Sequence, residues 1–176
     1  MRAIPARAVI VSLFVLAAVA GACGTDILPG SEPVAPPAAG RLHATVARVV
    51  DGDTVVLRGL GRSRLIGIDT PEVHGRRECF GAEASAFAER MLHGRRVRYE
   101  IGAEPRDRYG RLLVYVWLAD GRFFNDMLVD RGYARTLAIA PNVRFAARFR
   151  RRADEARAAR RGLWSRAACA NDSARD

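Results

Sequence analysis

The stretch VVDGDTVVLRGLGRSRLIGIDTPE, Val49 to Glu72, decides how the chain is read. Two short β-type runs lie in it, TVVLRG (Thr54–Gly59) and RLIGID (Arg64–Asp69), the second ended by Pro71. DGD at Asp51–Asp53 is a strong hairpin-type signal. Asp51 and Asp53 stand two apart, so in extended chain they share a face. Asp69 ends a strand that can lie beside them. Three carboxylates around one point repel unless a cation sits among them. Oxygen ligands of this kind favour calcium or magnesium over zinc. A plainer reading stays open, in which DGDT is a turn and its aspartates are turn formers.

Outward from that stretch the runs stay short. HATVARVV (His43–Val50) precedes it. GAEASAFAERMLHG (Gly81–Gly94) has helical composition, with Gly94 as a stop. RRVRYEIG (Arg95–Gly102) and RLLVYVWL (Arg111–Leu118) are a fourth and a fifth strand. NDMLVDRG (Asn125–Gly132) reads as a short helix with Asn125 as its N-cap. The last helix runs from about Val143 to Arg161. Phe145, Phe149, Ala153, Ala156 and Leu163 face the core at helical spacing. Arg144, Arg148, Arg150, Arg151, Arg152, Arg157 and Arg160 form the opposite face, read as solvated. Five strands, one intervening helix and then more helices predict an α+β fold that is mainly β barrel. Its form is a five-stranded Greek-key barrel of the oligonucleotide-binding (OB) type with three packed helices.

The chain has 176 residues and a formal net charge of +10, and all 29 of its basic residues are arginine. Such a charge points to a polyanionic partner or to a merely basic soluble surface. Arg2 and Arg7 precede the apolar run Val9–Val19, too short to span a bilayer and suited to a signal-peptide core. Residues 1–22 are therefore read as an export signal. Cys23 follows Ala20-Gly21-Ala22, as at a lipoprotein cleavage site, so it is either the lipidated residue or a stray thiol after ordinary cleavage. Residues 23–41, rich in proline, alanine and glycine, read as a flexible tether. The folded domain covers 42–166 and a tail covers 167–176. Localisation follows as exported, either on the cell membrane through lipid or secreted.

If Cys23 carries lipid, Cys79 and Cys169 remain of the three cysteines. A disulfide between them closes a loop of about 90 residues, contributing ~4 kcal/mol in the chain-entropy model. The alternative is two separate thiols. His43, His74 and His93 show no zinc-ligand spacing with the cysteines.

Arg64 and Asp69 are five positions apart, so strict alternation puts them on opposite faces unless the strand bends. Glu72 follows Pro71 in a loop, where a carboxylate can take a proton from a water beside a metal, or is simply solvated. DRYGR (Asp107–Arg111) puts a second arginine at the mouth of a strand. Two arginine forks and one cation match the charge that grows on a phosphoryl group under attack by water.

VVDGDTVVL, RLIGIDTPE, FGAEASAF, DRYGRLLVYV, NDMLVDRGYA and GLWS, in that order, resemble the thermonuclease (staphylococcal nuclease-like) family from about Leu42 to Ser165. The resemblance implies the five-stranded OB barrel with three helices. It also implies calcium-dependent hydrolysis of DNA and RNA to 3′-phosphorylated products. A monomer is expected. Asp53 and Asp69 would then be calcium carboxylates, the Thr70 carbonyl a third ligand, and Asp51 a supporting residue. Glu72 would be the general base, Arg64 and Arg111 the transition-state arginines, and Arg108 and Tyr109 contacts to the nucleotide's other phosphate. Two features depart from the family. The loop from Val73 to Gly81 is shorter and carries Cys79, and Leu137 and Ile139 stand where two tyrosines pack on the nucleotide. The competing reading is a non-catalytic, nucleic-acid-binding surface lipoprotein of the same fold. A third is a basic lipoprotein that binds anionic polymers or lipid headgroups.

Overall fold

Alternation carries Val46, Val55, Leu57, Leu65, Val97, Val114 and Val116 inward, each no more than 1% exposed. Each such side chain gains roughly 1.5–3 kcal/mol on leaving water, which sets the strand register. The computed structural model describes residues 42–75, 78–165 and 168–169. The expected signal segment, Cys23, the tether and most of the tail lie outside those residues.

The five barrel strands, β1 (Leu42–Val49), β2 (Thr54–Leu57), β3 (Gly61–Leu65), β5 (Arg96–Arg106) and β6 (Leu112–Trp117), close in the order β1-β2-β3-β6-β5. β1 pairs antiparallel with β2, and β2 with β3. β3 runs parallel to β6, which pairs antiparallel with β5. β5 closes on β1. Closure removes the free edges that an open sheet would leave. The expected barrel and its three helices are therefore present: α1 (Gly81–Leu92), α2 (Phe124–Asp130) and α3 (Ala146–Ala158).

Three sequence expectations need correction. RLIGID is not one strand. The barrel strand ends at Leu65, and β4 (Ile68–Asp69) leaves the barrel to pair with β7 (Arg135–Thr136). Asn125 is no N-cap, because α2 begins one residue earlier and the Asn125 side chain is fully buried. Its Oδ1 accepts from the Val116 N–H at 3.0 Å, and its Nδ2 donates to the Ile66 carbonyl at 3.0 Å. A buried amide satisfied at both ends acts as a strut between strand and loop.

The arginine face of α3, which begins at Ala146 rather than Val143, is not simply solvated. Arg148 donates through Nε and Nη2 to the buried Asp126, 2.8 Å each, and Arg152 joins the same carboxylate. Arg161 and Arg152 both reach Asp130, and Arg144 reaches Glu100. Within α3 itself the positive charge is countered by Asp126 and Asp130 of α2 and by the helix's own Glu155 and Asp154, which pair with Arg152 and Arg157.

Cys79 and Cys169 are joined by a disulfide, with Cα atoms 5.6 Å apart. The bridge ties the segment before α1 to the chain after the 3₁₀ turn at Gly162–Trp164. Thiol titration of a Leu42–Asp176 fragment is expected to find no free thiol, and reduction is expected to lower its Tm. Two titratable thiols in the oxidised protein would contradict the bridge.

Candidate functional site

The turn after β1 is built by Asp51. Its Oδ1 accepts from the backbone N–H groups of Asp53 (3.0 Å) and Thr54 (2.7 Å). Asp51 thus closes the turn from within, as aspartate does in an Asx-turn. Gly52 is required there, since a Cβ would lie 2.7 Å from the Thr70 side chain. Asp53 turns inward and is 5% exposed. Its Oδ2 accepts from the Thr70 N–H (2.8 Å) and hydroxyl (3.0 Å), and its Oδ1 pairs with Arg64 Nη1.

Arg64 and Asp69 meet although alternation opposes it. Arg64 Nη2 donates to Asp69 Oδ1 at 2.7 Å. The chain reverses at Gly67, whose φ of +81° is open to glycine and costly for other residues. A Cβ at Gly67 would also lie 2.5 Å from the buried Phe149 ring. The reversal is pinned by its neighbours. Ile66 donates its N–H to Val114 (2.9 Å) and accepts from Asn125, while the Gly67 carbonyl accepts from the Leu137 N–H (3.0 Å). So the bend that brings Asp69 back to Arg64 depends on a strut from α2 and a ring from α3.

Arg111 enters from the other side. Asp107 Oδ1 accepts from the backbone N–H groups of Tyr109 (3.0 Å) and Arg111 (2.9 Å), and its Oδ2 accepts from Arg111 Nε (2.6 Å). Burial alone would raise the Asp107 pKa, but these hydrogen bonds outweigh it and hold the carboxyl below its usual range. With Nε engaged, Arg111 keeps both terminal nitrogens for a ligand. Its guanidinium and that of Arg108 lie over the Tyr109 ring, at 5.4 and 4.8 Å from the centroid, and Arg108 Nη2 donates to the Tyr109 hydroxyl.

Arg64, Arg108, Tyr109 and Arg111 line one open groove of about 490 Å³, with Ile68, Leu113, Leu137 and Ile139 as its apolar wall. Burial pulls the Arg64 guanidinium below its usual pKa. Asp69 opposes that shift and the positive charge of Arg111 adds to it. Arg111, with both terminal nitrogens unengaged among the described residues, is the open anion donor of the groove, and Arg64 beside it holds its terminal nitrogens on Asp53 and Asp69.

Asp53 and Asp69 converge on the Arg64 guanidinium from two sides, while Thr70 donates its N–H and its hydroxyl to the other Asp53 oxygen. Two carboxylates that share one positive group are hard oxygen donors of the kind that suits a hard cation. Among the described residues no group of three or more His, Cys, Asp or Glu side chains converges. A cation here would therefore be completed by backbone oxygen and water.

Glu72 is placed differently. It is exposed and lines a separate depression with Val73, Glu78, Ala82 and Ser85. Among the described residues, no hydrogen bond or ion pair holds its carboxylate. It is three residues from Asp69, within about 11 Å of extended chain. Sequence reasoning missed Asn125, Phe149 and Asp107 as supports of this site. Only the D-x-x-x-R spacing of Asp107 and Arg111 carried a readable signal.

A family model described as staphylococcal nuclease homologue matches residues 62–166. The chain is 37% identical over 126 residues to the thermonuclease of Staphylococcus hyicus, spanning 68% of this chain and 74% of that protein. It is 39% identical over 127 residues to the thermonuclease of Staphylococcus intermedius, spanning 69% and 75%. Endonuclease YncB of Bacillus subtilis is 30% identical over 133 residues, spanning 71% of this chain and 63% of that protein.

Proposed function

The chain belongs to the staphylococcal nuclease family, and from that premise we propose that it is an exported, calcium-dependent nuclease. It hydrolyses phosphodiester bonds of DNA and RNA and leaves 3′-phosphates. The observation that carries the reading is the groove in which Arg64 and Arg111 face one another, with Asp53 and Asp69 converging on Arg64. Relatives named thermonuclease and endonuclease support it.

In this reading Arg64 and Arg111 bind the scissile phosphate and stabilise the charge that grows on its non-bridging oxygens. Glu72 takes the proton of the attacking water as the P–O bond forms, and the 5′-oxygen departs. Asp53, Asp69 and the Thr70 carbonyl would hold calcium, with Asp51 fixing the turn that carries Asp53. When bound, calcium supplies Lewis-acid polarisation of the phosphate and a template for the water. Arg108 and Tyr109 would take the nucleotide's other phosphate. The lipid anchor at Cys23, the export signal and the monomeric state belong to the same proposal. Digestion of DNA and of RNA followed by end-group analysis tests it. Fragments with 3′-phosphates are expected from both, and 5′-phosphates would contradict the assigned direction of attack.

The apolar wall has a consequence for binding. Leu137 and Ile139 are 39% and 61% exposed in the groove, and neither offers a π face. Tyr133 is no substitute, because it stacks on Phe80 and Phe87 away from the groove. Tyr109, 67% exposed, is the ring left to meet a base. A base stacked on an aromatic ring gains ~1–3 kcal/mol. Leu137→Tyr and Ile139→Tyr, singly and together, are therefore expected to tighten a 3′,5′-bisphosphonucleotide inhibitor by at least ~1 kcal/mol, about fivefold in Kd. Unchanged affinity in all three variants would show either that Leu137 and Ile139 do not stand beside the base or that Tyr109 already serves it.

A further inference from the structure

Glu72 must hold a fixed position to act on one water, yet its own carboxylate is unbonded among the described residues. Its place is set by its backbone, and that backbone is fastened from one side. The Glu72 carbonyl accepts from the Glu78 N–H at 2.9 Å, and the Glu72 N–H reaches Glu78 Oε2 at 3.4 Å. Arg135 Nη1 stands 3.7 Å from the same Glu78 oxygen. Arg135 is also the ladder partner of Asp69, so Glu78 lies within ion-pair reach of β7, the strand paired with the one that carries a proposed metal ligand.

The next residues bear unusual fixtures. Cys79 is bonded to Cys169. Phe80 adopts a left-handed φ of 70° and stacks on Tyr133 at 5.4 Å. A phenylalanine in that conformation persists only where its surroundings over-determine it, and such residues gather at working sites. Gly81 then lets α1 start tight against the loop, since a Cβ there would lie 2.6 Å from the Glu72 carbonyl oxygen. At the far end of the bridge, the chain before Cys169 is anchored to the end of α2, where the Leu163 N–H donates to the Gly132 carbonyl at 2.9 Å.

We propose that Glu78 and the Cys79–Cys169 disulfide are positioning elements for Glu72, holding the loop of the general base against the helical side of the molecule. The bridge thus serves turnover as well as stability. This inference rests on the reading of Glu72 as the base.

The test is a double-mutant cycle on the full chain, with Cys79→Ser/Cys169→Ser as one change and Glu72→Gln as the other. Calcium and plasmid DNA are supplied, well below the Tm of every variant. Removing the bridge is expected to lower kcat about tenfold with KM unchanged. That is smaller than the ~100-fold cost of an ångström-scale misplacement, because the Glu78 hydrogen bonds remain. In the Glu72→Gln background the same removal is expected to cost nothing further. An equal loss in both backgrounds would show that the bridge acts on the fold at large. An unchanged kcat with a lowered Tm would make it a stability device only. Glu78→Ala, which leaves the bridge intact, is expected to lower kcat several-fold, with Glu78→Gln restoring most of it because the amide oxygen still accepts from Glu72. No loss in Glu78→Ala would remove Glu78 from the proposal. If Glu72→Gln itself turns over normally, the base assignment fails. If Glu72→Gln is inactive and the serine variant is not impaired, this inference alone fails.

Discussion

Glu72→Gln is expected to lower kcat by about 100-fold or more while KM stays close to that of the parent. Glutamine keeps the size of the side chain and has no basic oxygen with which to take a proton. The carboxylate makes no bond to another described residue, and it is exposed. Its replacement therefore leaves the fold and the arginine groove undisturbed, so Tm is expected to hold within a degree or two. A loss of activity without a loss of stability is the pattern of a residue that acts in the transition state. Near-parental turnover would remove the base assignment and leave the arginines and the cation as the whole of the chemistry.

Arg64→Lys and Arg111→Lys carry the second large effect, also about 100-fold or more in kcat. The reason differs between them. Arg64 reaches Asp53 with one terminal nitrogen and Asp69 with the other, which no single ammonium can do with the same geometry. It is also largely buried, and burial already opposes its charge. A lysine there has the lower intrinsic pKa and gives up its proton more readily. Arg111 would lose its Nε bond to Asp107 and its seat over Tyr109, leaving the DRYGR turn less ordered. Parental cleavage by both lysine variants would overturn the phosphate clamp, because a point charge would then suffice where planar forks are assigned.

Asp107 adds an acid limit. Its carboxyl pKa is held below the usual carboxylate range in the folded protein. Its contribution to the turn is therefore full above the unfolded value of about 3.9 and is lost as pH falls through the lower folded value. Neutral-pH measurements are not affected by it.

The barrel was readable because its signals are local. The DGDT turn, the short apolar runs and Gly94 each announce an element with the few residues around them. The end of the third strand was not readable, because its cause lies elsewhere in the chain. Gly67 is the one local mark of a bend in RLIGID; that the strand stops at Leu65 is fixed from afar, by Asn125 beneath Ile66 and Phe149 against Gly67. Asn125 at the start of a short helical stretch has the composition of a cap. Only the fold reveals a fully buried amide spanning two elements. Arg148 was hidden in the same way, since its place on a polar helix face says nothing of the buried Asp126 opposite.

The site divides similarly. The family resemblance brought Arg64 and Asp69 together where alternation separated them, and the reversal at Gly67 supplies the physical reason. Asp51 and Asp53, alike in sequence, differ in the structure: one closes the turn and the other faces Arg64. The surroundings of Glu72 were the least legible, because its fastening comes from Glu78 and from a bridge to a cysteine 90 residues beyond Cys79.

On the proposed reading, oxygen ligands and two arginines in one groove make this chain a calcium-dependent phosphodiesterase. Cleavage of supercoiled plasmid by the purified Leu42–Asp176 fragment, followed in calcium, in excess chelator and after calcium is restored, tests this reading. Cleavage is expected in calcium, none in chelator, and recovery on re-addition. Equal cleavage with and without chelator, or none by the folded fragment in calcium, would contradict it.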